Sequence, residues 1–142
     1  MAKFLVEGGQ LAIQMPANQD YPTHTIANKL AQEEPFRQVL PSQRAIPAIL
    51  KMEDYAQLLE ELGFESQIVR LQLYPHFLES TASVMEWVKG SLLTYYQSHL
   101  EPSLYAQFLQ EYQKRLFNHL GWSEPFFFPI KRIFIWGQLP IH

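Results

Sequence analysis

The sequence predicts an α/β protein, a small sheet of about three strands set among a larger number of helices. Three observations predict it. Ser66 to Tyr74 alternates, with Val69, Leu71 and Leu73 on one face and Arg70, Gln72 and Tyr74 on the other, the two-residue period of a strand. Lys131 to Trp136 is apolar on both faces, as the central strand of a sheet has to be. Between them Leu104, Tyr105, Phe108, Leu109, Tyr112, Leu116 and Leu120 recur at helical spacing.

The remaining elements follow in chain order. Gln10 to Met15 is a short apolar run entered through Gly8-Gly9 and closed by Pro16, which suits a buried strand. Tyr21 to about Leu40 reads as a helix opened at Pro22 or Thr23, and Pro35 should kink it or divide it in two. Pro41 to Pro47 is a connector. Met52, Tyr55, Ala56, Leu59 and Leu62 line one face of a helix, with Gly63 placed for a left-handed cap. Ser83 and Glu86 form a capping box that opens a short helix through Trp87 and Val88 to Gly90. A second short helix covers Leu92 to His99. Pro102 opens the longest helix, with Lys114, Arg115 and His119 toward its negative end and Gly121 as its stop. Pro125 to Pro129 reads as an aromatic connector to the last strand. The chain is thus expected to be one domain over 1–142, divided as strand (1–20), helical connector (21–51), helix and strand (52–79), helices (80–124) and final strand (125–142). So narrow a sheet has two edges that need cover.

Composition excludes several functions. The 142 residues include ten Phe, seven Tyr and three Trp with a net charge of only −3, the opposite of a disordered chain. There is no cysteine, which removes disulfide scaffolds and thiolate metal sites. Eleven basic against fourteen acidic residues make no field for nucleic acid. No apolar run approaches the ~20 residues of a membrane span, and Glu7, Gly8 and Gly9 arrive before a signal-peptide core could form. A soluble, cytoplasmic protein is expected. His24, His99, His119 and His142 show no metal-ligand spacing, and no serine stands in a nucleophile elbow.

Glu7-Gly8-Gly9-Gln10-Leu11-Ala12-Ile13-Gln14-Met15-Pro16 resembles the stretch leading into the fifth strand of class I S-adenosylmethionine-dependent methyltransferases. The string Val84-Met85-Glu86-Trp87-Val88-Lys89-Gly90 is more specific. With Phe108-Leu109-Gln110-Glu111-Tyr112 and Phe128-Pro129-Ile130-Lys131-Arg132-Ile133-Phe134-Ile135, it is similar to the C-terminal half of trans-aconitate methyltransferases. The resemblance runs from about residue 4 to 137. It implies the C-terminal portion of a Rossmann-like sheet with a largely helical substrate cap, S-adenosylmethionine as cofactor and a small carboxylic acid as methyl acceptor. One departure stands out. The family's first half carries a glycine-rich turn after the first strand and an acid ending the second, and neither is in this sequence. The resemblance therefore implies an acceptor-binding part that is inactive alone.

Methyl transfer to a carboxylate is an in-line displacement on an ionised nucleophile, so no general base is needed and no catalytic side chain is singled out. Cations and hydrogen-bond donors should instead surround the acceptor. By resemblance, Trp87 walls the pocket and Lys89 contacts the acid; the bland alternatives are a core tryptophan and a solvated lysine. Tyr74 and His76 flank Pro75 in a Tyr-x-His step like the family's. Tyr95 offers a ring and a hydroxyl, and Arg132 a carboxylate partner. Met15 and Asn18, past the carboxyl end of the first strand, stand where open sheets place cofactors, although Asn18 equally suits a turn. Two other classes stay open. One is a carboxyl methyltransferase acting on a carrier-bound malonyl group. The other is a non-catalytic assembly module whose first strand recruits a separate N-terminal chain or a second copy of itself, giving a dimer.

Overall fold

The computed structural model describes residues 5–41 and 49–141. The predicted connector at Pro41 to Pro47 lies, beyond Pro41, outside the described residues. Among the described residues the fold is mixed α/β, with three strands and five α-helices: β1 (Gln10–Pro16), α1 (Pro22–Ala31), α2 (Met52–Glu61), β2 (Ser66–Leu78), α3 (Ala82–Lys89), α4 (Leu92–His99), α5 (Pro102–Leu120) and β3 (Phe126–Gln138). The strand order is β1-β3-β2. The last strand in sequence is central in space, as its two apolar faces predict. β1 runs antiparallel to β3, from Gln10 opposite Gln138 to Pro16 opposite Arg132.

The chain forms two compact units, each treated separately. Among the described residues the first comprises 5–18, 49–74 and 129–141, and the second 19–41 and 75–128. In the sheet unit, Ala17, Leu59, Phe64, Ile133 and Ile135 are buried together, with Leu11, Ile13, Met15, Tyr55 and Val69 packed around them. Gly63, at φ +83°, turns the chain out of α2 as expected, because a left-handed residue there costs glycine little. Phe64 then drops onto β3, and Gly137 admits it. A Cβ at 137 would lie 2.7 Å from Phe64 Cδ1.

In the second unit α5 is the organising helix. Phe108, Tyr112 and Leu116 repeat every fourth residue, so one row faces inward, and all three are completely buried. Pro102 stands at its first turn and Gly121, at φ +70°, follows its end, both as the sequence predicts. Pro35 divides the predicted long helix: α1 ends at Ala31 and only a 3-10 turn, Phe36–Gln38, follows.

Four expectations are corrected. β1 is not a buried strand: Gln10, Ala12 and Gln14 are exposed while Leu11, Ile13 and Met15 are half-buried, the pattern of an edge strand with one packed face. β2 has no well-covered face either, with Leu71 and Leu73 at 44% and 48% exposure. The segment at Pro125 to Pro129 is largely strand, because β3 begins at Phe126. Pro129 is tolerated there because β1 has already ended opposite Arg132, so no ladder bond to β1 is lost. Finally, Ser83 is not an N-cap. α3 opens at Thr81, whose buried hydroxyl donates to the Gly121 carbonyl and accepts from Ser123 N–H, both at 2.9 Å. That long-range pairing outcompetes a local box.

Gly137→Ala should lower the urea midpoint with little change in slope, a loss of ~1–3 kcal/mol from overpacking against Phe64. Adding Phe64→Leu should recover part of the loss, and an unchanged midpoint in the single variant would refute the steric account.

Candidate acceptor site

Four aromatic rings form a row in the helical unit. Tyr21 meets Phe128 at 5.3 Å between centroids, Phe128 meets Trp87 at 5.6 Å, and Trp87 meets His76 at 5.6 Å. The Trp87–Phe128 planes lie 86° apart, the edge-to-face geometry that ring quadrupoles favour. Each ring is placed by a different element. Tyr21 occupies the N-cap position of α1, directly before Pro22. Phe128 is buried in the first half of β3. Trp87 lies on the outer side of α3, whose Val84, Met85 and Val88 are buried. His76 comes from the far end of β2.

Trp87 is 43% exposed, so it is not a core tryptophan. One face is braced by the row and the rest of the ring is left for solvent or a ligand. Partial burial pushes the Tyr21 hydroxyl above the ordinary phenol range. The row thus presents the faces and edges of rings inclined at 52–86° to one another, together with a phenol and an imidazole.

Of the residues singled out from the sequence, the structure brings His76 and Trp87 together. Lys89, two residues on from the row's tryptophan, is bonded instead to Glu86 at 2.7 Å on the exposed side of α3. Tyr95 packs at a tilt against His99, 4.3 Å between ring centroids, within α4. Tyr74 and Arg132 belong to the sheet unit, where Tyr74 meets Phe134 at 6.5 Å and Arg132 stands opposite Pro16. Met15 accepts a 3.5 Å hydrogen bond from Tyr55 Oη at its sulfur, and Asn18 Oδ1 accepts one of 2.7 Å from Lys131 N–H. Sequence reasoning missed Tyr21 and Phe128. Tyr21 could have been found as the residue fixed ahead of a helix-opening proline; Phe128 was hidden in what read as a connector.

The row depends on how α1 is held, because Tyr21 leads into it. Tyr112 Oη donates to the Thr23 carbonyl at 3.0 Å, and Tyr96 Oη donates to Asn28 Oδ1 at 3.0 Å. Arg115 grips Glu33 with two bonds of 2.7 and 2.8 Å and Glu111 with a third of 2.7 Å. The fork-on-carboxylate bond to Arg115 holds the Glu33 carboxyl below its usual range, and the two glutamates raise Arg115 in turn.

No known family profile matches the chain. Individual relatives do. It is 35% identical over 117 residues to the trans-aconitate 2-methyltransferase of Afipia carboxidovorans, covering 82% of this chain and 45% of that enzyme. To the enzyme of the same name from Variovorax paradoxus it is 32% identical over 113 residues, covering 79% of this chain and 43% of the relative. The Deinococcus radiodurans enzyme is 33% identical over 114 residues, 77% of this chain and 44% of its own length. Over about four fifths of its length the chain is thus similar to homologues named trans-aconitate 2-methyltransferase. It corresponds to the C-terminal part and spans a little under half the length of these relatives. This similarity agrees with the resemblance carried by the Glu86-Trp87-Val88-Lys89-Gly90 string, and that string contributes the tryptophan of the aromatic row.

The sign of the Glu33 shift fixes a pH dependence. Because the folded pKa lies below the unfolded one, the Arg115 pairing stabilises the fold above the ordinary carboxylate range and is lost as pH falls through the folded value. Arg115→Met should therefore be less stable than the parent at neutral pH, with the gap closing in acid. A gap that stays constant down to pH values where carboxyls are protonated would overturn this account.

Proposed function

We propose that this chain is the acceptor-binding, C-terminal portion of a small-molecule carboxyl O-methyltransferase with a Rossmann-like sheet. The observation that carries the reading is the aromatic row in the helical unit, with Trp87 braced on one side and open on the other. A conjugated carboxylic acid of the kind named for the relatives is flat and could lie against the exposed part of the Trp87 ring. Tyr21 Oη and His76 would donate to its oxygens, and the rings would exclude water from the reacting carboxylate. A carboxylate is already a nucleophile at neutral pH, so the protein's task is to hold it in line and dry.

The family's reaction draws its methyl group from S-adenosylmethionine. The described residues do not fit that cofactor. Met15 and Asn18, the two nearest the expected place, are engaged by Tyr55 and Lys131. The positive-φ glycines stand before β1, after α2 and after α5, and none among the described residues makes a turn from a strand into a helix. Cofactor binding is assigned to polypeptide outside this chain, and the 142 residues alone are expected to be inactive.

Calorimetric titration of trans-aconitate into the purified chain tests the reading. Weak binding is expected, reduced about 5- to 20-fold by Trp87→Leu and less by His76→Gln, the scale of losing one aromatic contact and one hydrogen bond. Titration of S-adenosylmethionine should give no heat. Acceptor binding that survives Trp87→Leu intact would sink the assignment of the row. Methyl transfer above background by the chain alone would sink the division of labour.

A further inference from the structure

Thr81 stands at the N-cap position of α3, where a threonine hydroxyl ordinarily accepts an N–H of its own first turn. This one does not. Among the described residues no side-chain hydrogen bond caps α3, and Thr81 is completely buried. Its hydroxyl is spent on a turn 40 residues further along the chain. It donates to the Gly121 carbonyl at 2.9 Å and accepts from Ser123 N–H at 2.9 Å. The Thr81 N–H adds a third bond, to the Ser123 carbonyl at 3.1 Å. Burial makes such bonds costly to lose, because each partner would be left without water to replace them.

The two segments joined at Thr81 carry the two middle rings of the aromatic row. Trp87 lies in the second turn of α3, and Phe128 lies early in β3, just past Ser123. The path from Thr81 to Trp87 and the path from Ser123 to Phe128 are therefore closed at both ends. At one end are the hydrogen bonds of Thr81, and at the other is the edge-to-face contact at 5.6 Å and 86°. The second path is braced along its length. Ser123 Oγ donates to the Pro125 carbonyl at 2.7 Å, and Phe126 is buried, 6.4 Å from Phe128 between ring centroids. Along the first path, Val84, Met85 and Val88 bury the inner side of α3. Apolar burial is non-directional, so it holds the helix down without fixing its position along its own axis. The directional bonds at Thr81 supply what burial does not.

We propose that Thr81 is a positioning residue of the aromatic row: its hydroxyl locks the start of α3 to the turn ahead of β3 and so sets the edge-to-face meeting of Trp87 with Phe128. Every group in this loop belongs to the helical unit. What Thr81 does for an acceptor rests on the function proposed above; what it does for the two rings does not.

Thr81→Val deletes the hydroxyl and keeps the branched shape, whereas Thr81→Ser keeps the hydroxyl. The readout is the indole N–H resonance of Trp87, assigned by its disappearance in Trp87→Leu, with Trp136 of the sheet unit as internal reference. Thr81→Val should shift Trp87 and not Trp136, and Thr81→Ser should keep the parent position. Trans-aconitate should bind Thr81→Val about 3-fold more weakly, the scale of an aromatic contact partly lost, and in a Trp87→Leu background the same substitution should weaken binding no further. Should Thr81→Val fail to fold, Ser123→Ala carries the test. Ser123 is exposed, and loss of its bond to Pro125 should move the Trp87 resonance in the same direction by a smaller amount. A Trp87 resonance that stays in place in folded Thr81→Val, or in Ser123→Ala where that variant carries the test, overturns the proposal and leaves the acceptor reading intact. An equal shift in Thr81→Ser also overturns it, because the hydroxyl would not then be the cause. A resonance that moves while Trp87→Leu binds trans-aconitate as well as the parent supports Thr81 as the residue that sets the rings and removes the acceptor reading instead.

Discussion

The sheet unit depends on β3 having a neighbour along both of its edges. Once its backbone is paired on both sides, its side chains have to be acceptable to whatever covers each face. Ile133 and Ile135 enter the core, while Phe134 and Trp136 fall on the opposite face. There the Arg70 guanidinium lies 5.2 Å from the Phe134 ring centre, a cation–π contact that covers part of an exposed aromatic surface. Gly137 continues the core-side series and is the point where Phe64 makes its closest approach. The turn after α2, the seating of Phe64 and the register of β1 all follow from this one strand.

The helical unit is held by polar atoms buried at the junction of α1 and α5. A ten-residue helix is short for independent stability, and α1 has no side-chain hydrogen bond at its N-cap. Tyr112 compensates by donating to a carbonyl in the first turn, and the complete burial of both Tyr112 and Thr23 makes that bond costly to lose. The Arg115–Glu33 fork secures the other end. It is partly exposed, at 33% and 41% of the two side chains, so its value lies more in geometry than in free energy. Together these ties fix where Tyr21 begins α1, and so the first ring of the aromatic row.

Much of this was legible in the sequence because it is local. The periodicities of α2 and α5, Pro22 and Pro102 at helix starts, Gly63 and Gly121 at helix ends and the two-faced apolar pattern of β3 are short-range signals. What was not legible depends on partners distant in sequence. The extension of β3 back to Phe126 is permitted at Pro129 because β1 has ended, which only the register reveals. The Ser83 capping box is locally plausible but loses to Thr81, whose partners lie 40 and 42 residues away. In the candidate site, Trp87 was marked by the family-like string, whereas Phe128 was not because its role depends on three other elements.

The distribution of charge bears on how far this chain serves an acidic acceptor by itself. Arg37, Lys89 and Arg115 in the helical unit are each bonded to a glutamate. The row itself supplies π surface, a neutral phenol and an imidazole. Such a group of rings offers π contacts and two hydrogen-bonding groups. It is poorly equipped to neutralise several carboxylates, which calls for charge-assisted bonds of the Arg–carboxylate kind. The relatives are more than twice as long as the stretch matched here. On the proposed reading the aromatic row would orient the acceptor, and cations outside the row would meet its charge.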